Sequence, residues 1–358
     1  MSVQAPSFLA VISNATDGTL YSYLIQDGSL SLYRHQAAGD KAMPMALSPD
    51  KTTLFIHTRG EPPAFIHYSL FQQPDYLRDE RCTRIADNLV HLSISPDGRY
   101  LYGVSYATSQ LRVYDFTALK QGHLRLIQTL EDIPHAHCAA VSPDGQFIYV
   151  TSLSTGRVEI FRWQGQTLVA QGGITIAPGF GPRHLCFNRQ GDRLYVISEF
   201  TGAVAAFHRC AQTGELTCDT VSARPQALAH LKDGFPRPNA TAAVQPDPQL
   251  LKELCWASEI QVTPDERFVY IAERTSGQIL IYHRNSEGAL ECCAQTDTEK
   301  QPRSIQLTPD GQYLLSCGEK SRTVSLYRVC TQTGELTLLG QCAGGEGANC
   351  IVITEIAG

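Results

Sequence analysis

The chain has 358 residues, of which 43 % are apolar and 18 % charged; this suits a globular protein with a sizeable core and excludes a disordered one. Its net charge of −6 sets up no global field favouring nucleic acid or an acidic membrane, so any anionic ligand must be held by local cations. No stretch approaches 18 consecutive apolar residues and the first dozen residues lack a basic segment followed by an apolar one, so we expect a cytoplasmic protein that makes no use of a membrane.

Residues 8–40 hold three β-rich runs, the last following the turn Asp27-Gly-Ser-Leu30. Next comes Ser48-Pro-Asp, the first copy of a phrase made of an apolar residue, Ser or Thr, Pro, Asp and usually Gly, then an aromatic or aliphatic strand. Further copies begin at Ser95, Ser142, Asn188 (Asn-Arg-Gln-Gly-Asp, degenerate), Thr263, Thr308 and, truncated, Thr354, with gaps of 47, 47, 46, 75, 45 and 46 residues. A second marker, a leucine after a turn, falls at Leu30, Leu77, Leu124, Leu168, Leu216, Leu290 and Leu336. Both series count seven units and one long insertion.

Within residues 136–181, four short β-rich runs are separated by Pro-Asp-Gly, Ser-Thr-Gly and Gln-Gly-Gln turns. Four strands repeating every 40–50 residues or so predict an all-β, seven-bladed propeller with four antiparallel strands per blade, spanning 1–358 as a single domain. The insertion, about residues 219–256, is Pro-rich and contains a helix-like Pro248-Gln-Leu-Leu-Lys-Glu-Leu; it is either a lid or wall, or a tolerated surface loop. The last apolar run, Cys350-Ile-Val-Ile, has no strands after it. It should complete the blade begun by residues 8–40 and so leave no open seam. Twelve cysteines form no Cys-x-x-Cys pair and several, such as Cys186 and Cys317, sit in apolar runs, which reads as small buried thiols.

Counted from each Ser/Thr, the position five residues earlier reads Met43, Val90, His137, Arg183, Ser258, Arg303 and Asn349. The position eleven later reads Arg59, Tyr106, Leu153, Glu199, Arg274 and Glu319, with Ser13 in the closing blade. The two positions flank one hairpin, so the propeller's rotation should gather them in two rings around one mouth of the channel. His137, Arg183, Glu199, Arg274 and Arg303, five ionisable residues in equivalent slots of neighbouring blades, mark that mouth as a ligand site. His135-Ala-His137 raises a metal option, but the nearby arginines oppose a cation. We expect neither metal nor cofactor.

At these positions the chain resembles, over nearly its whole length, the propeller-type 6-phosphogluconolactonases and the related 3-carboxymuconate cyclases. The matching phrases are His137-Cys-Ala-Ala-Val-Ser-Pro-Asp-Gly, Gly181-Pro-Arg-His184, Val196-Ile-Ser-Glu199, Trp256-Ala-Ser-Glu-Ile260, Glu273-Arg-Thr275, Gln301-Pro-Arg303 and Gly318-Glu-Lys-Ser321. The resemblance implies hydrolysis of a sugar lactone, 6-phosphogluconolactone first among them, with His137, Glu199, Arg183 and Arg274 as the catalytic set. Arg303, Tyr106, Arg59, Glu319 and His184 are the expected substrate contacts. Glu199 or His137 would move the proton, and the arginines would hold the lactone carbonyl and an anionic substituent. Gly-x-Ser-x-Gly is absent, and Cys138 should point away from His137, so water is the expected nucleophile. The expected partner is a small anionic lactone, on a monomer or weak dimer. A muconate-type cycloisomerase and a non-catalytic propeller scaffold are the other two readings.

Overall fold

Every complete Ser/Thr-Pro-Asp phrase forms the same turn. At the third copy the Ser142 hydroxyl donates to Asp144 and accepts from the Phe147 amide at 3.0 Å, while Asp144 accepts from the Gln146 amide. Ser48, Thr263 and Thr308 repeat this arrangement with Asp50, Asp265 and Asp310. The degenerate copy preserves it with other atoms, because Asn188 Oδ1 accepts from the amides of Gly191 and Arg193 at 2.9 and 3.0 Å. Each turn reverses the chain between the innermost strand of a blade and the next strand out.

The structure is a computed structural model that describes residues 7–70, 77–239 and 241–356. Among the described residues, seven four-stranded antiparallel sheets form the blades of a propeller. Blades 1 to 6 cover residues 42–84, 91–130, 136–175, 182–221, 257–297 and 302–343. Blade 7 joins the two ends of the chain: Ala348–Ile356 is its innermost strand and pairs with Ser7–Asn14, with Leu9 opposite Thr354 and Val11 opposite Val352. Thr19–Gln26 and Ser29–Ala37 complete it. The seven blades and the closure agree with the repeat count.

The leucine marker opens or nearly opens the outermost strand in six blades and departs from it in blade 2. There a short helix, Phe116–Lys120, capped by Asp115, intervenes, the outer strand starts only at Leu126, and Leu124 is 45 % exposed. The glycine of that marker has a packing reason: at Gly214 and Gly334 an added Cβ would fall 2.3–2.4 Å from the rings of Phe147 and Phe268 in a neighbouring blade.

Core residues fall mostly between blades. One cluster joins Tyr149 and Val158 of blade 3 to Val196 and Phe207 of blade 4, another joins Leu9 and Val11 of blade 7 to Ile56 and Tyr68 of blade 1, and so on around the ring. A smaller cluster, Leu153, Phe200, Leu254 and Trp256, lies beneath the insertion. All twelve cysteines are free; Cys138, Cys255 and Cys317 are buried, whereas Cys186 is half-buried on the channel wall and Cys82, Cys218 and Cys293 are exposed. No helix among the described residues is long and apolar enough to cross a membrane.

Candidate active site

In six blades the register slips by a β-bulge at the top of the inner hairpin: between Ala42 and Met45, Ala136 and Ala139, Pro182 and Leu185, Ala257 and Glu259, Pro302 and Ser304, and opposite Ser13 and Asn14. Each bulge contains, or lies opposite, the residue five before the Ser/Thr. A bulge breaks the strict in-out alternation of a strand and re-aims a side chain. The two slots of one blade then meet: Arg59 donates to Met43 Sδ, Arg183 lies beside Glu199, Arg303 beside Glu319, and the Ser13 hydroxyl donates to Asn349.

Members of both rings line a cavity of about 570 Å³ at one mouth of the channel, large enough for a sugar phosphate. Arg59, Tyr106, His137, Arg183, Glu199, Arg274 and Arg303 all line it. Five guanidinium groups, those four arginines and Arg237, face one carboxylate, so the lining carries a net charge of +4.

Glu199 is the hub. Its Oε1 accepts from Arg274 Nη2 and lies 3.6 Å from Arg183 Nε. Both arginines are anchored a second time by backbone carbonyls, Arg274 Nε donating to Trp256 at 2.8 Å and Arg183 Nη1 donating to Ser258. Burial alone would raise the Glu199 carboxyl, but Arg274, Arg183 and Arg303 outweigh it and hold it below the ordinary carboxylate value. Burial and Arg303 push Arg183 down to about 9, which leaves it a cation at neutral pH. His137 is held well below the usual imidazole value, by burial first and then by Arg183, and its buried Nδ1 has no hydrogen-bond partner. The site therefore presents an ionised carboxylate already engaged by two guanidinium groups and a neutral imidazole that is not engaged.

Two expected substrate contacts lie elsewhere. His184 follows Arg183, and the bulge sends it down into the channel, where Nδ1 is 2.8 Å from Glu259 and its ring sits beside His91 and His137. That lower cavity, about 420 Å³, is also lined by Cys138, which indeed turns away from the mouth. Glu319 stands behind Arg303 at 3.6 Å and accepts from Gln301, outside the cavity wall. His135 leaves the cavity too, its ring packed on Tyr106 at 4.5 Å. Repeat phasing misses Asn88, Asn239 and above all Arg237, because the insertion and the inter-blade loop have no counterparts in other units. An arginine in a Pro-rich insertion, Phe235-Pro-Arg-Pro-Asn239, was the only available hint.

A seven-bladed ring with a cationic mouth around a carboxylate and an imidazole defines a class, and comparison with known proteins gives it a family. Residues 8–353 match the family model of the seven-bladed β-propeller lactonases. The chain belongs to that family of hydrolases. The 6-phosphogluconolactonase of Serratia proteamaculans is 28 % identical over 329 residues, covering 89 % of this chain and 90 % of that protein. That of Pectobacterium carotovorum is 27 % identical over 327 residues, with the same coverage. The periplasmic gluconolactonase of Pseudomonas aeruginosa shares the fold at a TM-score of 0.78 and 20 % identity, over 98 % of this chain and 99 % of that one. A Bacteroides fragilis protein superposes at 0.80 and 18 % identity, over 99 % of each chain.

Proposed function

We propose that this lactonase hydrolyses 6-phosphogluconolactone to 6-phosphogluconate at the cationic mouth, with His137, Glu199, Arg183 and Arg274 as the working set. The observation that carries this reading is the surplus of four positive charges around a cavity of sugar-phosphate size. A neutral lactone needs one or two donors for its carbonyl; five guanidinium groups suit a substrate that is itself an anion.

The chemistry follows from the engagement of each group. Water is the nucleophile in this reading, in place of a side chain, and must be deprotonated as it adds to the lactone carbonyl. His137 lines the cavity and is held neutral, so in this reading it is the group that accepts that proton. The oxygen charge of the tetrahedral intermediate is met by Arg183 and Arg274, whose orientation is preset by Glu199 and by the Ser258 and Trp256 carbonyls. The imidazolium then returns its proton to the departing ring alkoxide, and the ester carbon–oxygen bond breaks to give the hydroxy acid. Glu199 orients the two cations.

Tyr106, Arg59 and Arg303 complete the substrate wall in this reading, without metal or cofactor. The test is a substrate panel of 6-phosphogluconolactone, glucono-1,5-lactone and 3-carboxymuconate. Preference for the first, measured as kcat/KM, supports the proposal; turnover of carboxymuconate alone, or of no lactone, refutes it. We place this activity in the cytoplasm and in the pentose phosphate pathway, to be checked by fractionation.

A further inference from the structure

The insertion leaves blade 4 and returns to blade 5, yet it crosses the mouth to reach blade 2. Its base is part of the core: Leu228 and Leu231 pack with Tyr195, Ile271 and Tyr282, and Lys232 bridges to Leu254. The Gly234 amide donates to the Phe200 carbonyl at 3.0 Å, and a Cβ on Gly234 would lie 2.6 Å from the Cys255 carbonyl oxygen. Phe235 meets the Trp256 ring edge-on. The far side is fastened twice to blade 2, by the Tyr106 hydroxyl donating to the Arg237 carbonyl at 2.8 Å and by Asn239 Nδ2 donating to the Ala107 carbonyl at 3.2 Å.

Arg237 is therefore held from both directions by backbone contacts, and its guanidinium lies 4.1 Å from the centre of the Trp256 ring. The side chain is exposed on the rim of the cavity. No carboxylate lies within salt-bridge distance of it among the described residues, whereas Arg183 and Arg274 share Glu199 and Arg303 has Glu319. Arg237 and Arg274 also line a second depression behind the mouth, together with Lys252, Lys300 and Lys320 and with no acidic residue. Arg237 and three ammonium groups thus converge beside Arg274, and no acidic residue lines that depression. Such a field draws an anion and holds it where two forks of donors meet.

We infer that Arg237, carried in by the insertion, is a specificity-determining residue that grips the phosphate of a phosphorylated lactone beside Arg274. This inference rests on the reading of the mouth as a lactonase site for an anionic sugar lactone. The phosphate enters over the lysine-rich depression, and the lactone ring lies inward, against Arg183, Glu199 and His137. The insertion is then a fixed wall that selects substrate by charge.

The experiment compares wild type, Arg237→Ala and Arg237→Lys on 6-phosphogluconolactone and on glucono-1,5-lactone, and measures binding of 6-phosphogluconate by calorimetry. Loss of a charge-assisted contact to phosphate predicts a KM for the phosphorylated lactone raised roughly ten- to a hundredfold in Arg237→Ala, with kcat falling less than KM rises. The KM for the unphosphorylated lactone should move far less, 6-phosphogluconate should bind more weakly by a similar factor, and Arg237→Lys should recover part of both. Equal losses on the two lactones, or none on either, would overturn the inference while leaving the lactonase reading intact. A wild-type protein that neither turns over the phosphorylated lactone nor binds 6-phosphogluconate would overturn both. Thermal melting of each variant checks that the ring remains folded.

Discussion

Replacing Glu199 by Gln removes the one negative charge that sits between two buried guanidinium groups. Arg183 is 1 % exposed and Arg274 is 9 % exposed, so neither can turn to bulk water for compensation. Removing one partner of a buried ion pair typically costs about 3–5 kcal/mol, and the Gln oxygen can still accept from Arg274, which argues for the low end, about 3 kcal/mol. For 358 residues the unfolding entropy at the midpoint is roughly 0.75 kcal/mol/K, so the melting temperature should fall by about 4 °C. Turnover should fall as well, because the two arginines then keep their carbonyl anchors but lose the charge that fixes them against each other.

The sign of the pH dependence follows from the direction of the shift. The Glu199 carboxyl is held below its unfolded value, so its contribution to stability is present above that value, about 4.3, and is lost as pH falls through the lower folded one. The gap in melting temperature between wild type and variant should therefore be full at pH 7 and narrow below about pH 4. Added phosphate, which can take the vacated place, should raise the melting temperature of the variant more than that of wild type. Differential scanning calorimetry from pH 3 to 8 measures all three. A variant as stable as wild type at pH 7 and indifferent to phosphate would show that Glu199 is not the counter-ion of the two arginines.

His137→Ala should lower kcat by roughly 10²–10⁴-fold with little change in melting temperature. Because the ring must be neutral to accept a proton and is held well below 6.5, the acid limb of kcat/KM in wild type should lie below that value; a limb at or above 6.5 would contradict its assigned role. Arg274→Ala should raise KM for an anionic lactone at least as much as it lowers kcat, and a pure kcat effect would confine this residue to the oxyanion. Deleting residues 349–358 removes nearly all of the innermost strand of blade 7, leaves the Ser7–Asn14 edge unpaired, and should abolish cooperative unfolding in a denaturant titration.

Much of the fold was legible because each blade announces itself with atoms that are close in sequence. Ser142, Asp144 and the amides of Gln146 and Phe147 close the turn among themselves, so the phrase means the same thing wherever it occurs. The leucine marker is less local, since its value depends on a partner blade, and in blade 2 the helix Phe116–Lys120 displaces it. The two rings of polar residues were legible for the same reason as the turns: rotational repetition turns equal sequence offsets into equal positions in space.

By itself, then, the sequence determined the number of blades, the joining of the two chain ends and, in four blades, the identity of the residues that meet across the inner hairpin. Only the tertiary structure decided which of them share a cavity. Arg183 and His184 are neighbours in the chain, but a bulge turns one to the mouth and the other into the channel, where it pairs with Glu259 of the next blade. Arg237 has no repeat phase at all, and its place over Trp256 depends on hydrogen bonds to Tyr106 and Ala107 more than a hundred residues away. Local hydrogen bonding writes a turn into a few adjacent residues, whereas the charge balance of a site is a sum over side chains that only the closed ring brings within reach of one another.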